Sequence, residues 1–212
     1  MKMLFLSMVL LALLSCSKKE TYIPTRVGVE EDDASVGKLA AGCPNTQYDD
    51  WETSEYVLPF RVGDAYVVNL SHCSGSYHSQ GRADQYAIDF EMPIGTSIMA
   101  SRYGRVVYVE ESGRDGGFPN NVIVIRHDDT TFGQYMHLTH QGSFVRVGDT
   151  IRQGQEIGLS GSTGLAGYPH LHFVVTDRDY NYPYVSIPTT FKNTVSNERS
   201  LAAWTRYKAL PY

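Results

Sequence analysis

Glycine and proline break this chain into short pieces, and that spacing limits what it can fold into. From Tyr56 onward nearly every gap between apolar runs holds one: Pro93-Ile94-Gly95, Gly104, Gly116-Gly117, Gly133, Gly148-Asp149, Gly154 and Gly161 to Gly167. The runs between them are rich in β-branched and aromatic residues, as strands are. They are Ala65–Leu70, Tyr86–Phe90, Ser97–Ala100, Arg105–Glu110, Val122–His127, Phe132–His137, Ile151, Glu156–Leu159 and Leu171–Thr176. No stretch before residue 190 keeps a helical period. The pattern predicts an all-β domain of two packed, mostly antiparallel sheets. A short C-terminal helix is expected over Asn197–Tyr207. The 15 Tyr, 8 Phe and 2 Trp supply enough bulk for a sizeable core.

The first residues read as an address. Lys2 precedes an apolar run of 12 residues, Met3 to Leu14, interrupted only by Ser7. A membrane-spanning helix needs roughly 20 residues, so the run reads as a secretory signal. It ends in Leu13-Leu14-Ser15-Cys16. A small residue before a cysteine at the end of such a run resembles the lipobox of bacterial lipoproteins. That resemblance implies cleavage before Cys16, a lipid on Cys16, and a place in the bacterial cell envelope, facing periplasm or cell surface. Cys43 and Cys73 then remain. In an oxidising compartment they either pair as a disulfide or stay as two buried thiols. Few large apolar residues and the run Glu30-Glu31-Asp32-Asp33 mark the segment after Cys16 as a solvated tether. The expected layout is a signal peptide over 1–15, lipidated cysteine and flexible acidic tether over 16–55, the sheet domain over 56–192, and an extension over 193–212.

Charge excludes one class of partner. Lys and Arg total 18 against 23 Asp and Glu, a net charge of −5, which leaves no basic footprint for nucleic acid.

All seven histidines lie between residues 72 and 172. In Pro169-His170-Leu171-His172-Phe173 a strand would turn His170 and His172 to one face and Leu171 and Phe173 to the other. Two imidazoles on one face suit a metal ligand beside a catalytic group, or a wet surface. His137 ends a strand in Tyr135-Met136-His137-Leu138. Asp89 sits between Ile88 and Phe90, where a buried carboxylate needs a partner or a metal.

Taken in order, these motifs resemble the lysostaphin/LytM-type zinc endopeptidases of bacterial cell walls. The resemblance spans about residues 60–176. It includes Asp89, Pro93 to Ala100, Gly104-Arg105-Val106-Val107, Tyr135 to Leu138, Val147 to Gly158, Ser160 to Gly164 and His170 to Phe173. It implies that Asp89 and His172 are zinc ligands, and that His137 and His170 are catalytic. It also implies one zinc per chain and hydrolysis of peptide bonds in peptidoglycan cross-links. In that chemistry zinc acidifies water and polarises the scissile carbonyl, while histidines carry the proton and stabilise the oxyanion.

One position departs from the family pattern. A first zinc histidine is usual four residues before the Asp, and here that position is Gln85. An amide is a poor zinc ligand beside an imidazole. A subgroup of the family carries a displaced Ser-His, a polar loop and then Tyr-Ala-x-Asp-Phe, with a late Ile-Pro-x-x-Phe. These correspond to Ser74 to Ser79, Tyr86 to Phe90 and Ser186 to Phe191. Resemblance to that subgroup implies His78 as the third ligand, with His72 the weaker candidate. Closing a loop from His78 to Asp89 costs little more entropy than closing a shorter one. His127 and His140 match no family site and read as surface or structural.

Two other functions compete. A non-catalytic relative would bind peptidoglycan or activate a cell-wall amidase. Gln85 favours it, and retention of Asp89, His137, His170 and His172 opposes it. A biotinyl or lipoyl carrier would need a lysine on its hairpin, and Gly142 to Thr176 contains none. The run Tyr180-Asn181-Tyr182-Pro183-Tyr184 either lines a groove or packs on the sheet, and packing is the expectation.

Overall fold

The computed structural model describes residues 41–212. The signal segment 1–15, the lipidation point Cys16 and the tether as far as residue 40 lie outside the described residues. Among the described residues, eleven strands make two sheets in which every pairing is antiparallel. They are β1 (Ala65–Leu70), β2 (Ile88–Glu91), β3 (Ser97–Met99), β4 (Gly104–Glu110), β5 (Val122–Arg126), β6 (Thr131–Met136), β7 (Leu138–Ser143), β8 (Thr150–Ile151), β9 (Glu156–Ser160), β10 (His170–Asp177) and β11 (Thr205–Lys208). The large sheet runs β11-β1-β2-β10-β6-β5-β4-β8 and the small one β3-β9-β7. Among the described residues the only helical elements are two three-residue 3-10 turns, Trp51–Thr53 and Ser76–His78.

Alternation explains the core. Ile123 and Ile125 on β5, Tyr135 on β6, and Leu171, Phe173 and Val175 on β10 join Ile98 and Ile157 of the small sheet in one buried cluster. Each large apolar side chain so buried contributes roughly 1.5–3 kcal/mol. β10 is buried on both faces from His170 to Thr176. Its inner face meets this core, and Val174 on its outer face packs with Ala87 and Tyr184.

The C-terminal segment is a strand rather than the expected helix. β11 pairs with β1, Tyr66 opposite Tyr207. Tyr207 is buried while Arg206 and Lys208 are exposed, a two-residue period. Ser200 and Trp204 hold left-handed φ values of 67° and 60°, which a helix does not accept. Residues 41–55, expected as the end of the tether, are fastened to the domain. Cys43 is disulfide-bonded to Cys73, and the Ser54 hydroxyl donates to the Thr190 carbonyl at 2.6 Å.

Candidate active site

Register builds the site. β2 and β10 pair so that Asp89 stands opposite His172 and Glu91 opposite His170. On the other side of β10, His172 stands opposite Met136, the last residue of β6. His137 follows at once with φ 64°, a left-handed turn that ends the strand and swings its ring toward β10. Its backbone N–H donates to Asn120 Oδ1 at 3.0 Å, which fixes that turn. The ring centroids of His137 and His170 are 4.6 Å apart, and those of His137 and His172 5.7 Å.

His78 arrives from the loop between β1 and β2. Gly75 enters a 3-10 turn at φ 106°, a conformation only glycine adopts freely. The Cys73 N–H donates to the Gln85 carbonyl at 2.8 Å, and the Gly81 N–H to Gln85 Oε1 at 2.8 Å. Gln85 is therefore a brace of this loop, and it does not line the cavity over the site. His78 Nε2 lies 3.4 Å from Asp89 Oδ1.

The five residues expected at the site converge. Donor atoms of His78, Asp89 and His172 lie within 4.8 Å of one another, and so do those of His137, His170 and His172. His172 belongs to both groups. All five are between 1% and 8% exposed, so their chemistry runs largely out of bulk water. His72 stands outside both groups. It stacks on Tyr48, and its Nδ1 lies 3.2 Å from the Tyr48 hydroxyl. His127 is buried and structural, its Nδ1–H donating to the Tyr103 carbonyl at 2.6 Å. His140 Nδ1 lies 3.2 Å from the Ser112 carbonyl, on the exposed side.

The two flanking imidazoles have fixed tautomers. His137 Nδ1 faces the Thr163 carbonyl at 2.7 Å, and His170 Nδ1 the Tyr168 carbonyl at 2.8 Å. A carbonyl only accepts, so each Nδ1 carries the proton and each Nε2 lone pair is free. Burial pushes His137 down to about 3, with His172 and His170 adding to the shift. Burial likewise lowers His170. Both stay neutral near pH 7 and can accept a proton.

The donor set fits a divalent cation. Burial alone would disfavour charge on Asp89 and on His172. The attraction between them, with His172 Nδ1 at 2.8 Å from Asp89 Oδ1, overrides it. Asp89 is held well below the carboxylate range. His172, helped also by Asp84, is raised to about 10. A pocket whose field holds a positive charge this firmly favours a cation there, and two imidazoles with one carboxylate are a usual zinc donor set.

Above the cluster lies a cavity of about 690 Å³. Tyr180, Tyr182 and Tyr184 line it, together with Tyr108, Phe118 and Leu165. The aromatic run thus lines the groove as well as packing on the sheet. Tyr180 stacks on Tyr108 with centroids 6.0 Å apart, while Tyr182 is 73% exposed. Asp84 and Asp89 are the acidic lining residues, and neither Lys nor Arg lines the cavity among the described residues. Asp84 was not expected at the site. No periodicity marks a carboxylate in the polar loop Gly81-Arg82-Ala83-Asp84.

A β-sandwich that gathers two imidazoles and a carboxylate, with two neutral imidazoles facing them, defines a metallohydrolase class of site. The chain matches the model of Peptidase family M23 over residues 83–183. It is 39% identical over 102 residues to peptidoglycan DD-endopeptidase ShyA of Vibrio cholerae, covering 47% of this chain and 22% of that protein. It is 43% identical over 88 residues to lysostaphin of Staphylococcus simulans, covering 42% of this chain and 17% of that protein. The chain thus spans about a fifth of the length of these relatives. The solved structure of pseudoalterin, described as a novel M23 metalloprotease from the deep sea, shares the fold at a TM-score of 0.52. Identity to it is 15%, with 74% of this chain and 99% of that one covered.

Proposed function

We propose that this chain is a zinc-dependent endopeptidase that cuts peptide bonds in peptidoglycan cross-links, held in the bacterial cell envelope by a lipid on Cys16. The observation that carries the reading is the sharing of His172 between a donor set, His78–Asp89–His172, and a neutral pair, His137 and His170. The similarity to ShyA, a peptidoglycan DD-endopeptidase, supports the substrate class.

When bound, zinc supplies Lewis-acid chemistry that acidifies water and polarises a carbonyl. The chain's own residues do the rest. Asp89, His78 and His172 would hold the ion. His137 and His170 present unprotonated Nε2 atoms, so one would take a proton from the attacking water and return it to the leaving amine. The imidazolium so formed offers its single Nε2–H to the developing oxyanion before that proton passes to the leaving amine. The Thr163 and Tyr168 carbonyls hold both rings in that orientation. Tyr168 stacks on His170 with centroids 4.5 Å apart and restricts water on that side. Tyr180 and Tyr182 offer apolar walls to an extended peptide.

One observation favours a second reading. Gln85 stands at the usual ligand position and is committed to its loop, so a chain in which His78 did not bind metal would be a binding module or an amidase activator. Zinc content of the purified chain, followed by digestion of intact peptidoglycan and mass analysis of the released fragments, decides between them. About one zinc per chain and cleaved cross-links are expected. A metal-replete chain without zinc, which binds peptidoglycan and leaves it uncut, establishes the second reading.

A further inference from the structure

His172 is flanked by two carboxylates. Its Nδ1 lies 2.8 Å from Asp89 Oδ1 and its Nε2 lies 3.4 Å from Asp84 Oδ1. A neutral imidazole has one N–H and one lone pair. If Nδ1 gives its lone pair to a metal, the proton must sit on Nε2, and in a buried ring that N–H needs an acceptor. Asp84 is the acceptor at hand. His78 has no equivalent: its Nδ1 is buried without a hydrogen-bond partner among the described residues.

Asp84 is itself held. The Tyr184 hydroxyl donates to Asp84 Oδ1, and Tyr184 is anchored against Ala87 and Val174. The Ala87 N–H donates to the Asp84 carbonyl at 2.9 Å, in the turn that feeds the chain into β2. Charge adds a second argument. Asp89 alone would leave a bound dication with an unbalanced positive charge in a buried site. Asp89 and Asp84 together neutralise it.

We propose that Asp84 is a positioning residue of the metal centre: it accepts the Nε2–H of His172, aims the Nδ1 lone pair toward Asp89 and His78, and is locked in place by Tyr184. This rests on the reading of His78, Asp89 and His172 as the metal donors. Carboxylates behind a ligating histidine are worth about 10- to 100-fold in metal affinity.

The test is the zinc dissociation constant of the full chain, by competition with a chromophoric chelator, for the native protein and for Asp84→Asn, Tyr184→Phe and Gln85→Ala. Cobalt(II) spectra of the same proteins report the ligand field at the metal. Asp84→Asn should weaken zinc about 10- to 100-fold and shift the cobalt bands. Tyr184→Phe should weaken it less, in the same direction. Gln85→Ala, which removes only the side-chain bond to Gly81 and keeps the backbone bond from Cys73 that closes the loop, should bind zinc like the native chain. Native-like affinity in both Asp84→Asn and Tyr184→Phe overturns the proposal. So does an equal loss in Gln85→Ala, because the effect would then come from loosening the loop. If Asp84→Asn does not fold, Tyr184→Phe decides, and unchanged affinity there overturns the proposal. A native chain that binds no zinc removes the donor-set reading and this role with it. Tight native binding matched by Asp84→Asn removes this role alone.

Discussion

At the scale of single residues, the two imidazole groups make separable demands. His170 offers a proton acceptor, so His170→Ala should lower peptidoglycan cleavage by at least about 10²-fold while most of the zinc stays bound. Full loss of metal in that variant would reverse the assignment. His78→Ala should lose zinc, whereas Gln85→Ala should keep it; metal analysis of both variants checks this. Titration supplies a further prediction. Burial lowers His127 to about 4, and His72 and His137 to about 3. In the unfolded chain each would take a proton near pH 6.5. Their neutral, buried state therefore contributes stability that is fully present above about pH 6.5 and lost as pH falls toward 4. The metal-free chain should show a falling urea midpoint between about pH 7 and about pH 4.5, and His127→Gln should flatten that slope. For His127 alone the full effect is about 3 kcal/mol. Asp89, His137, His170 and His172 were legible because strand periodicity and motif order mark them. Asp84 and Thr163 were not, since each acts only through a histidine brought near by long-range pairing.

At the scale of elements, the loop from Leu70 to Ile88 decides whether a third ligand is present. It is closed by the Gln85 contacts and fastened at its base by Cys43–Cys73, whose partners are 30 residues apart. Loop-closure entropy gives such a link about 3–4 kcal/mol. Reducing agent, or Cys43→Ser with Cys73→Ser, should lower the melting temperature; an unchanged melting curve would show that the link adds no stability. The strands that could be read from sequence are those rich in β-branched and other apolar residues, such as Val122–Arg126 and His170–Asp177. β11 was unreadable because Thr205-Arg206-Tyr207-Lys208 has one apolar position. It is a strand because β1 offers an unpaired edge some 140 residues away, a fact no local window contains. Tyr180 to Tyr184 show the same limit: an aromatic run can serve the groove and the packing at once.

At the scale of the whole molecule, the proposed lipid on Cys16 can be tested by where the chain is found. Cys16→Ala should move the chain from the membrane fraction to the soluble fraction without changing its zinc content, as fractionation and metal analysis would show. The sheet domain has its own consequence. β10 lies inside the eight-stranded sheet, paired on both sides and covered on both faces. It carries Leu171, Phe173 and Val175 into the core and His170 and His172 into the site. Backbone amides in such a strand exchange with solvent only when the sheet as a whole opens. Fluctuations that free the rim of the groove therefore leave His170 and His172 where they are, and that half of the site should survive until the last cooperative step of unfolding.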